Sequence, residues 1–94
     1  MTIACLTLDI HLPACRSLKE KRSRLRGLRD KFGRDPGIAL SETEFHDQHD
    51  RAQWCLVAIG GDSGRVQAKL SNIESYIHEH IDGYVTEGTL EFLK

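Results

Sequence analysis

The sequence is short of the residues and segments that mark several classes of protein. It has two prolines, one tryptophan and three cysteines among 94 residues, and 6% of the residues are aromatic. No apolar stretch approaches the roughly 18 residues that would span a bilayer, and the N-terminus lacks the basic segment and long apolar block of a secretory signal. Three cysteines without close pairing do not make a disulfide framework. We therefore expect a cytoplasmic protein with reduced thiols and no membrane partner.

The composition that remains is typical of one soluble globular domain. Hydrophobic residues make up 39% of the chain and charged residues 29%, which is the balance of folded rather than disordered proteins. A chain of this length can build one modest core but not two. We therefore expect a single domain over residues 1–94.

Positive charge is concentrated in one segment. Residues 16–34 contain nine Lys and Arg against two acidic residues, whereas the rest of the chain has four against twelve. The net charge of −1 therefore conceals a local charge of +7 beside −8 elsewhere. A split of this kind is typical of a surface for an anionic partner, although a solvated helix face has the same pattern.

The periodicity of apolar residues predicts four strands and two helices. Strict alternation marks the first strand, and Ser17 with Glu20 has the spacing of a capping box at the start of the first helix. Asp62 or Ser63 can cap the second helix. The predicted elements are a strand over 2–12, a helix from 17 to about 32, strands over 38–44 and 54–59, a helix from about 62 to 80 and a strand over 84–93.

This order predicts an α+β fold of the ferredoxin-like type. A β-α-β-β-α-β chain with right-handed crossovers closes as a four-stranded antiparallel sheet with both helices on one face. The third strand is apolar on both faces, which is unusual where one face of an antiparallel sheet meets water. We therefore expect a homo-oligomer, a dimer or higher, in which another copy of the chain is stacked sheet on sheet or paired edge to edge, with a small exposed apolar patch as the alternative. Trp54 is expected to pack in a core or an interface.

The order of elements and several short stretches resemble a known family. The stretches are His11-Leu12-Pro13, then Arg16-Ser17-Leu18-Lys19-Glu20-Lys21-Arg22, and later Arg51-Ala52. Together they resemble the YlxP-like family of small bacterial proteins over essentially the whole chain. The resemblance implies a ferredoxin-like domain of unknown function, whose genes often lie beside those of transcription-elongation, translation-initiation and ribosome-maturation factors. An RNA-related role follows by association. The family often has an aromatic residue near position 49, where this chain has His49.

The basic helix is the main candidate for a functional surface. Cations at helical spacing suit phosphate contacts, and they equally suit an acidic protein surface. The strands lack the paired aromatics on which an RNA-recognition motif stacks bases, so any RNA is expected to be bound through its shape and phosphates. We predict an RNA- or ribonucleoprotein-associated module, with a protein-interaction module as the alternative. The predicted phosphate contacts are Arg16, Lys19, Lys21, Arg22, Arg26, Arg29 and Arg51.

Two weaker patterns keep an enzymatic alternative open. His46, Asp47 and His49 are residue types that bind divalent metals, although they fall on a predicted loop and give no complete ligand set. Cys15 lies beside Arg16 and a helix N-terminus, where a thiol can become reactive, yet no base accompanies it. We therefore predict no catalytic residue, metal or cofactor, and a protein that is not an enzyme. A metal-dependent hydrolase at the histidine loop is the enzymatic alternative.

Overall fold

The computed structural model describes all 94 residues and has the predicted order of elements. The helices and strands are β1 (Thr2–His11), α1 (Leu18–Gly33), β2 (Ile38–Glu44), β3 (Arg51–Gly60), α2 (Ser63–His80) and β4 (Tyr84–Phe92). The strands form one antiparallel sheet in the order β2-β3-β1-β4. This is the ferredoxin-like architecture, so the fold prediction is confirmed. Neither helix is long and apolar enough to cross a bilayer.

The core lies between the sheet and the two helices. Alternation places every second residue of β1 and β3 on this inner side, and the side chains there are almost fully buried. Trp54, at 0% exposure, faces Leu8 across the two central strands, as predicted for a core tryptophan. Helix α1 contributes Leu25, Leu28 and Phe32, and α2 contributes Val66, Leu70, Ile73 and Ile77.

The helices cover different parts of the sheet. Helix α1 packs beside the edge strand β2, whereas α2 packs across β3, β1 and β4. The basic segment therefore lies along one edge of the sheet. Acidic residues lie on both sides of the sheet: Glu42 and Glu44 belong to β2, and Glu87 and Glu91 belong to β4 at the other edge. The basic residues are therefore concentrated on one helix, whereas the acidic residues are distributed over the sheet and its loops.

The third strand is longer than predicted. It begins at Arg51 rather than Trp54, because Arg51 and Gln53 continue the ladder opposite His11 and Asp9 of β1. Its polar first residues lie on the outer face of the sheet, where polarity does not oppose a strand. Outward-facing Cys55, Val57 and Ile59 alternate with inward Trp54, Leu56 and Ala58, as expected from the sequence.

The expectation of three reduced thiols is wrong for this structure. A disulfide joins Cys5 of β1 to Cys55 of β3 on the outer face of the sheet, and Cys15 is the free, buried cysteine. The two cysteines are 50 residues apart in the chain, so the absence of closely spaced cysteines did not exclude a disulfide. Their proximity comes from strand register, which pairs Cys5 with Val57 and Thr7 with Cys55.

The packing of α2 on the sheet gives a direct test of this core. Replacing Leu70, which is fully buried, in the Leu70→Ala variant should lower the free energy of unfolding by about 2–5 kcal/mol through lost transfer energy and an unfilled cavity. The exposed Gln67→Ala variant on the same helix should change it by less than about 0.5 kcal/mol. Urea unfolding followed by circular dichroism measures both, and equal midpoints for the two variants would contradict the placement of α2.

Candidate functional site

The run from Arg16 to Arg24 builds the start of α1. Ser17 caps the helix, and its hydroxyl accepts a hydrogen bond from the Glu20 N–H at 3.0 Å. The Glu20 carboxylate accepts from the N–H of Arg16 at 2.8 Å, one residue before the cap. That hydrogen bond, followed by the charge of Arg24, holds the pKa of Glu20 below its ordinary value of 4.5. The predicted capping box is therefore present, with its carboxylate bonded one residue further back.

Arg24 joins this helix start to the loops that follow β1 and precede β4. Its guanidinium donates to the carbonyl of Pro13 at 2.8 Å and to Glu20 at 3.2 Å, and it lies 3.5 Å from the carboxylate of Asp82. Its side chain is 16% exposed. Arg24 is therefore occupied by contacts within the chain and lies away from the flank that carries Arg22 and Arg26.

Lys21 is buried, which corrects its prediction as a phosphate contact. Its residue exposure is 3%. The ammonium donates to the carbonyls of Phe45 and Gln48, both at 2.9 Å, and forms an ion pair with Glu42 at 2.7 Å. A cation with three protein partners and almost no accessible surface is not available to an external phosphate. Lys21 instead attaches α1 to the β2–β3 hairpin.

The hairpin that Lys21 holds has an unusual backbone. Phe45 has a φ of 65°, a left-handed conformation that costs energy for a residue with a side chain. Its carbonyl is one of the two that accept from Lys21. Its ring lies 3.9 Å from the guanidinium carbon of Arg51, in the arrangement of a cation–π contact. Arg51 is half-buried and is thus engaged within the hairpin.

The remaining arginines of α1 line a groove beside β2. Arg22, Arg26 and Arg29 are exposed and make no ion pair within the chain. Residues four and three apart on a helix share one side and rise by about 6 and 4.5 Å. The groove has a volume of about 280 Å³, and its lining residues are Lys21, Arg22, Leu25, Arg26, Arg29, Asp30 and Glu42. We call it the arginine groove.

A second hollow prolongs the arginine groove along the same edge. It measures about 300 Å³, shares Arg29 and Asp30 with the groove and adds Gly33, Arg34 and Leu40. Lys19 and Arg16 are exposed at the N-terminal end of α1 but do not line the groove. Of the seven predicted contacts, three therefore line the groove as free cations, two flank it, and Lys21 and Arg51 have partners within the chain.

The strand beside the arginine groove, which contributes Glu42 to its lining, is an edge strand of the sheet. Strand β2 pairs with β3 on one side only, so alternate N–H and C=O groups point away from the sheet. Two of them have local partners, since Ile38 N–H donates to Asp35 O and Glu42 O bonds with the His46 ring. The sequence predicted basic residues on this helix. That α1 packs beside an edge strand could be seen only from the strand order of the structure.

The histidine loop does not assemble a metal site. His46 Nε2 bonds with the carbonyl of Glu42 at 2.9 Å, whereas His49 Nδ1 bonds with the carbonyl of Cys15 at 2.6 Å. The two rings are thus held by different partners, and no group of three or more His, Cys, Asp or Glu side chains is placed to hold a metal ion. Cys15 itself is buried. The geometry therefore gives no support to the metal-dependent alternative.

Comparison with known proteins places the chain in a family. Residues 3–89 match the family model described as a protein of unknown function, DUF503. The chain belongs to this family. No curated protein matches the sequence. The DUF503 match agrees with the resemblance read from the sequence in one respect, because both point to a family without an established activity.

Solved structures share the fold of this DUF503 chain at low sequence identity. A structural-genomics protein named YJCS has a TM-score of 0.60 at 6% identity, over 98% of this chain and 99% of that one. SnoaB, a cofactor-independent oxygenase from Streptomyces nogalater, has a TM-score of 0.53 at 11% identity, over 98% and 91%. At these identities the likeness concerns the fold alone.

Removal of the Lys21 ammonium should destabilise the protein strongly. The Lys21→Met variant leaves Glu42 and two carbonyls without their buried cation, which should cost about 3–5 kcal/mol of unfolding free energy. The exposed Lys19→Met variant, two positions earlier, should cost less than about 0.5 kcal/mol. Adding Glu42→Gln to Lys21→Met should recover part of the loss, because the unpaired charge is then gone. Chemical denaturation of the unmodified protein, Lys21→Met, Glu42→Gln and the double variant measures this coupling, and additive effects of the two substitutions would contradict it.

Acid should weaken the fold through Glu20. Because its pKa is lowered in the native state, the carboxylate contributes stability above its unfolded pKa, and this contribution is lost as the pH falls through the lowered native value. Between about pH 6 and 3, the urea midpoint should therefore fall more steeply for the unmodified protein than for Glu20→Gln. Glu79→Gln removes the same charge from an exposed position and should keep the original slope. Parallel profiles for Glu20→Gln and the unmodified protein would contradict the role of the Arg16 contact.

Proposed function

We propose that this DUF503 protein is a non-enzymatic RNA-binding module, associated with RNA or a ribonucleoprotein, that contacts phosphates through the arginine groove. The observation that carries the proposal is the row of Arg22, Arg26 and Arg29, which are exposed, unpaired and set along one groove. Guanidinium groups bind phosphate oxygens with two parallel hydrogen bonds. Arg16 and Lys19 flank the groove and extend the positive surface.

The lining of the groove favours phosphate contacts over base recognition. It contains arginines, two acidic residues and Leu25 as its one hydrophobic residue, and no aromatic side chain on which a base could stack. Contacts of this kind fix the backbone of a nucleic acid without reading its sequence. Binding should therefore be similar for different RNA sequences and strongly dependent on salt.

The resemblance to YlxP-like proteins supports the same proposal. The neighbouring genes of that family belong to transcription, translation initiation and ribosome maturation, which favours RNA over other anionic partners. The support is associative, whereas the groove supplies the physical reason. The proposal includes a cytoplasmic location, because the translation and ribosome-maturation factors encoded beside that family act there.

A second candidate function is recognition of an extended acidic segment of a protein. The observation that favours it is the free edge of β2, the strand that contributes Glu42 to the groove and Leu40 to the adjoining hollow. An extended peptide can add to such an edge through main-chain hydrogen bonds, and its carboxylates would then lie along the arginine row. A folded protein with an acidic surface would contact the arginines without forming hydrogen bonds to the free edge of β2.

The salt dependence of RNA binding tests the first proposal. Fluorescence anisotropy with a labelled single-stranded RNA of mixed sequence should show a linear fall of log affinity with log salt. Replacing Arg22, Arg26 and Arg29 by alanine should weaken binding and reduce the slope by about 0.7 per lost phosphate contact, or about two units in all. A second RNA of unrelated sequence should give the same result.

A matched triple variant separates local contacts from net charge. Lys31, Arg65 and Lys94 are exposed cations away from the groove, and their replacement by alanine removes the same charge. This control should keep most of the slope. Equal losses for both triple variants, or no RNA binding at low salt, would overturn the proposal. Binding of a poly-glutamate peptide in place of RNA, lost with the groove variant alone, would support the second candidate.

A further inference from the structure

The outer face of the sheet has an apolar end that no element of the chain covers. Both helices lie on the inner side, so the outward residues of all four strands face away from the core. Ile59 of β3 is 60% exposed, and Leu93, just after β4, is 57% exposed. Phe92 pairs with inward Ala4, so Leu93 falls on the outer side. The apolar residues of this end are Ile3, Cys5, Ala39, Val57, Ile59 and Leu93, and the charged residues Glu91 and Lys94 lie beside Cys5 and Ile3 at its β4 edge.

The same end of the sheet carries a hollow near the opposite edge. It has a volume of about 410 Å³, and four of its six lining residues are hydrophobic. Its lining residues are Pro36, Gly37, Ile38, Ala39, Val57 and Ile59. Leu93 lies beyond β4, at the level of Ile3 and Ile59, which is also the level of this hollow. The outer face thus has a projecting leucine at one edge and a hollow at the other.

We propose that a second copy of this chain packs on the outer face and that each copy places Leu93 over the hollow of the other. A twofold axis parallel to β1 and β3, midway between the stacked sheets, brings the β4 edge of one copy over the β2 edge of its partner. That operation keeps positions along the strands unchanged. It therefore sets apolar end on apolar end and creates two identical contacts, as a closed dimer requires.

The size of the face is sufficient for such a dimer. Four strands about 4.8 Å apart, with about ten residues rising 3.4 Å each, give a footprint of roughly 650 Å² per copy. Two copies that stack over the whole face, including its polar half, would then bury on the order of 1,300 Å², which is at the lower end of the range of about 1,200–2,000 Å² for stable interfaces. Stacked sheets that pack about 10 Å apart leave room for one layer of interdigitated side chains.

The charged residues of the outer face suit the rim of this interface. Glu87 and Glu91 are exposed on the edge strand β4, where interfaces are polar and wet. Asp9, on a central strand, is half-buried and accepts a hydrogen bond from the Gln53 amide. Pairing through the β2 edges is disfavoured instead, because it would oppose two arginine rows. The proposed dimer leaves both arginine grooves exposed, and it does not depend on RNA binding.

The mass of the protein in solution tests this proposal. Light scattering after size exclusion should give twice the 10.6 kDa of the chain. Replacing both Ile59 and Leu93 by aspartate should halve the mass, because four charges would then be buried at the interface. Both side chains are exposed within one copy, so the fold should persist by circular dichroism. The Gln67→Asp control on α2 should remain dimeric. A monomeric unmodified protein would overturn the proposal by leaving only an exposed apolar patch.

Cross-linking tests the arrangement independently of those variants. In a background with all three cysteines replaced by serine, Ala39→Cys and Leu93→Cys proteins are mixed and treated with a short bismaleimide. The mixture should form a covalent dimer, whereas each protein alone should form little, because like positions lie at opposite edges. A mixture of Ala39→Cys with Lys19→Cys, on the helix side, is the control. Equal cross-linking in all samples, or a dimer that survives the double aspartate substitution, would contradict this interface.

Discussion

The contact of the Lys21 ammonium with the β2–β3 hairpin is the constraint on which the arrangement of the basic helix depends. One buried cation binds two hairpin carbonyls and a carboxylate of β2. A buried charge is tolerated only where such partners offset its lost hydration, so the contact holds α1 beside β2. It also stabilises the left-handed backbone at Phe45, whose carbonyl would otherwise lose its partner. Arg22 and Arg26 face the groove because Lys21 faces the sheet.

The charged residues around Lys21 show that a basic run is not one uniform surface. Glu20 completes the cap, and Arg24 joins the helix to Pro13 and Asp82. Both side chains are engaged in contacts within the chain, and these contacts fix the start of α1 and its position on the sheet. The cations that remain free along the groove are Arg22, directly after Lys21, and Arg26 and Arg29, about one and two turns further along. Several residues of the run from Ser17 to Arg24 are therefore explained by the architecture, and the free arginines are what this architecture leaves available to a partner.

The sequence was sufficient for the fold because each element carries its own periodicity. The strict alternation of β1, the cap at Ser17 and the apolar stripe of α2 are local signals, and their order limits the topology. Lys21 was assigned wrongly because its partners lie up to 27 residues away, and a lysine between exposed cations has no local sign of burial. The Cys5–Cys55 bond was missed for the same physical reason, since it depends on strand register. Local chemistry could be predicted from sequence, whereas contacts fixed by register and packing could not.

The geometry of the sheet places the arginine groove and the apolar outer face on different sides of the molecule, which the sequence alone could not determine. A basic helix could have been buried between subunits, which would exclude any nucleic acid. The helices, however, lie on the inner side of the sheet and the apolar end lies on the outer side, so an assembly through the outer face does not compete for the arginines. Pairing through the β2 edge would compete, and there like charges would oppose it over the length of the groove. A basic edge and an uncovered apolar face on one small domain are therefore compatible, because the sheet itself keeps them apart.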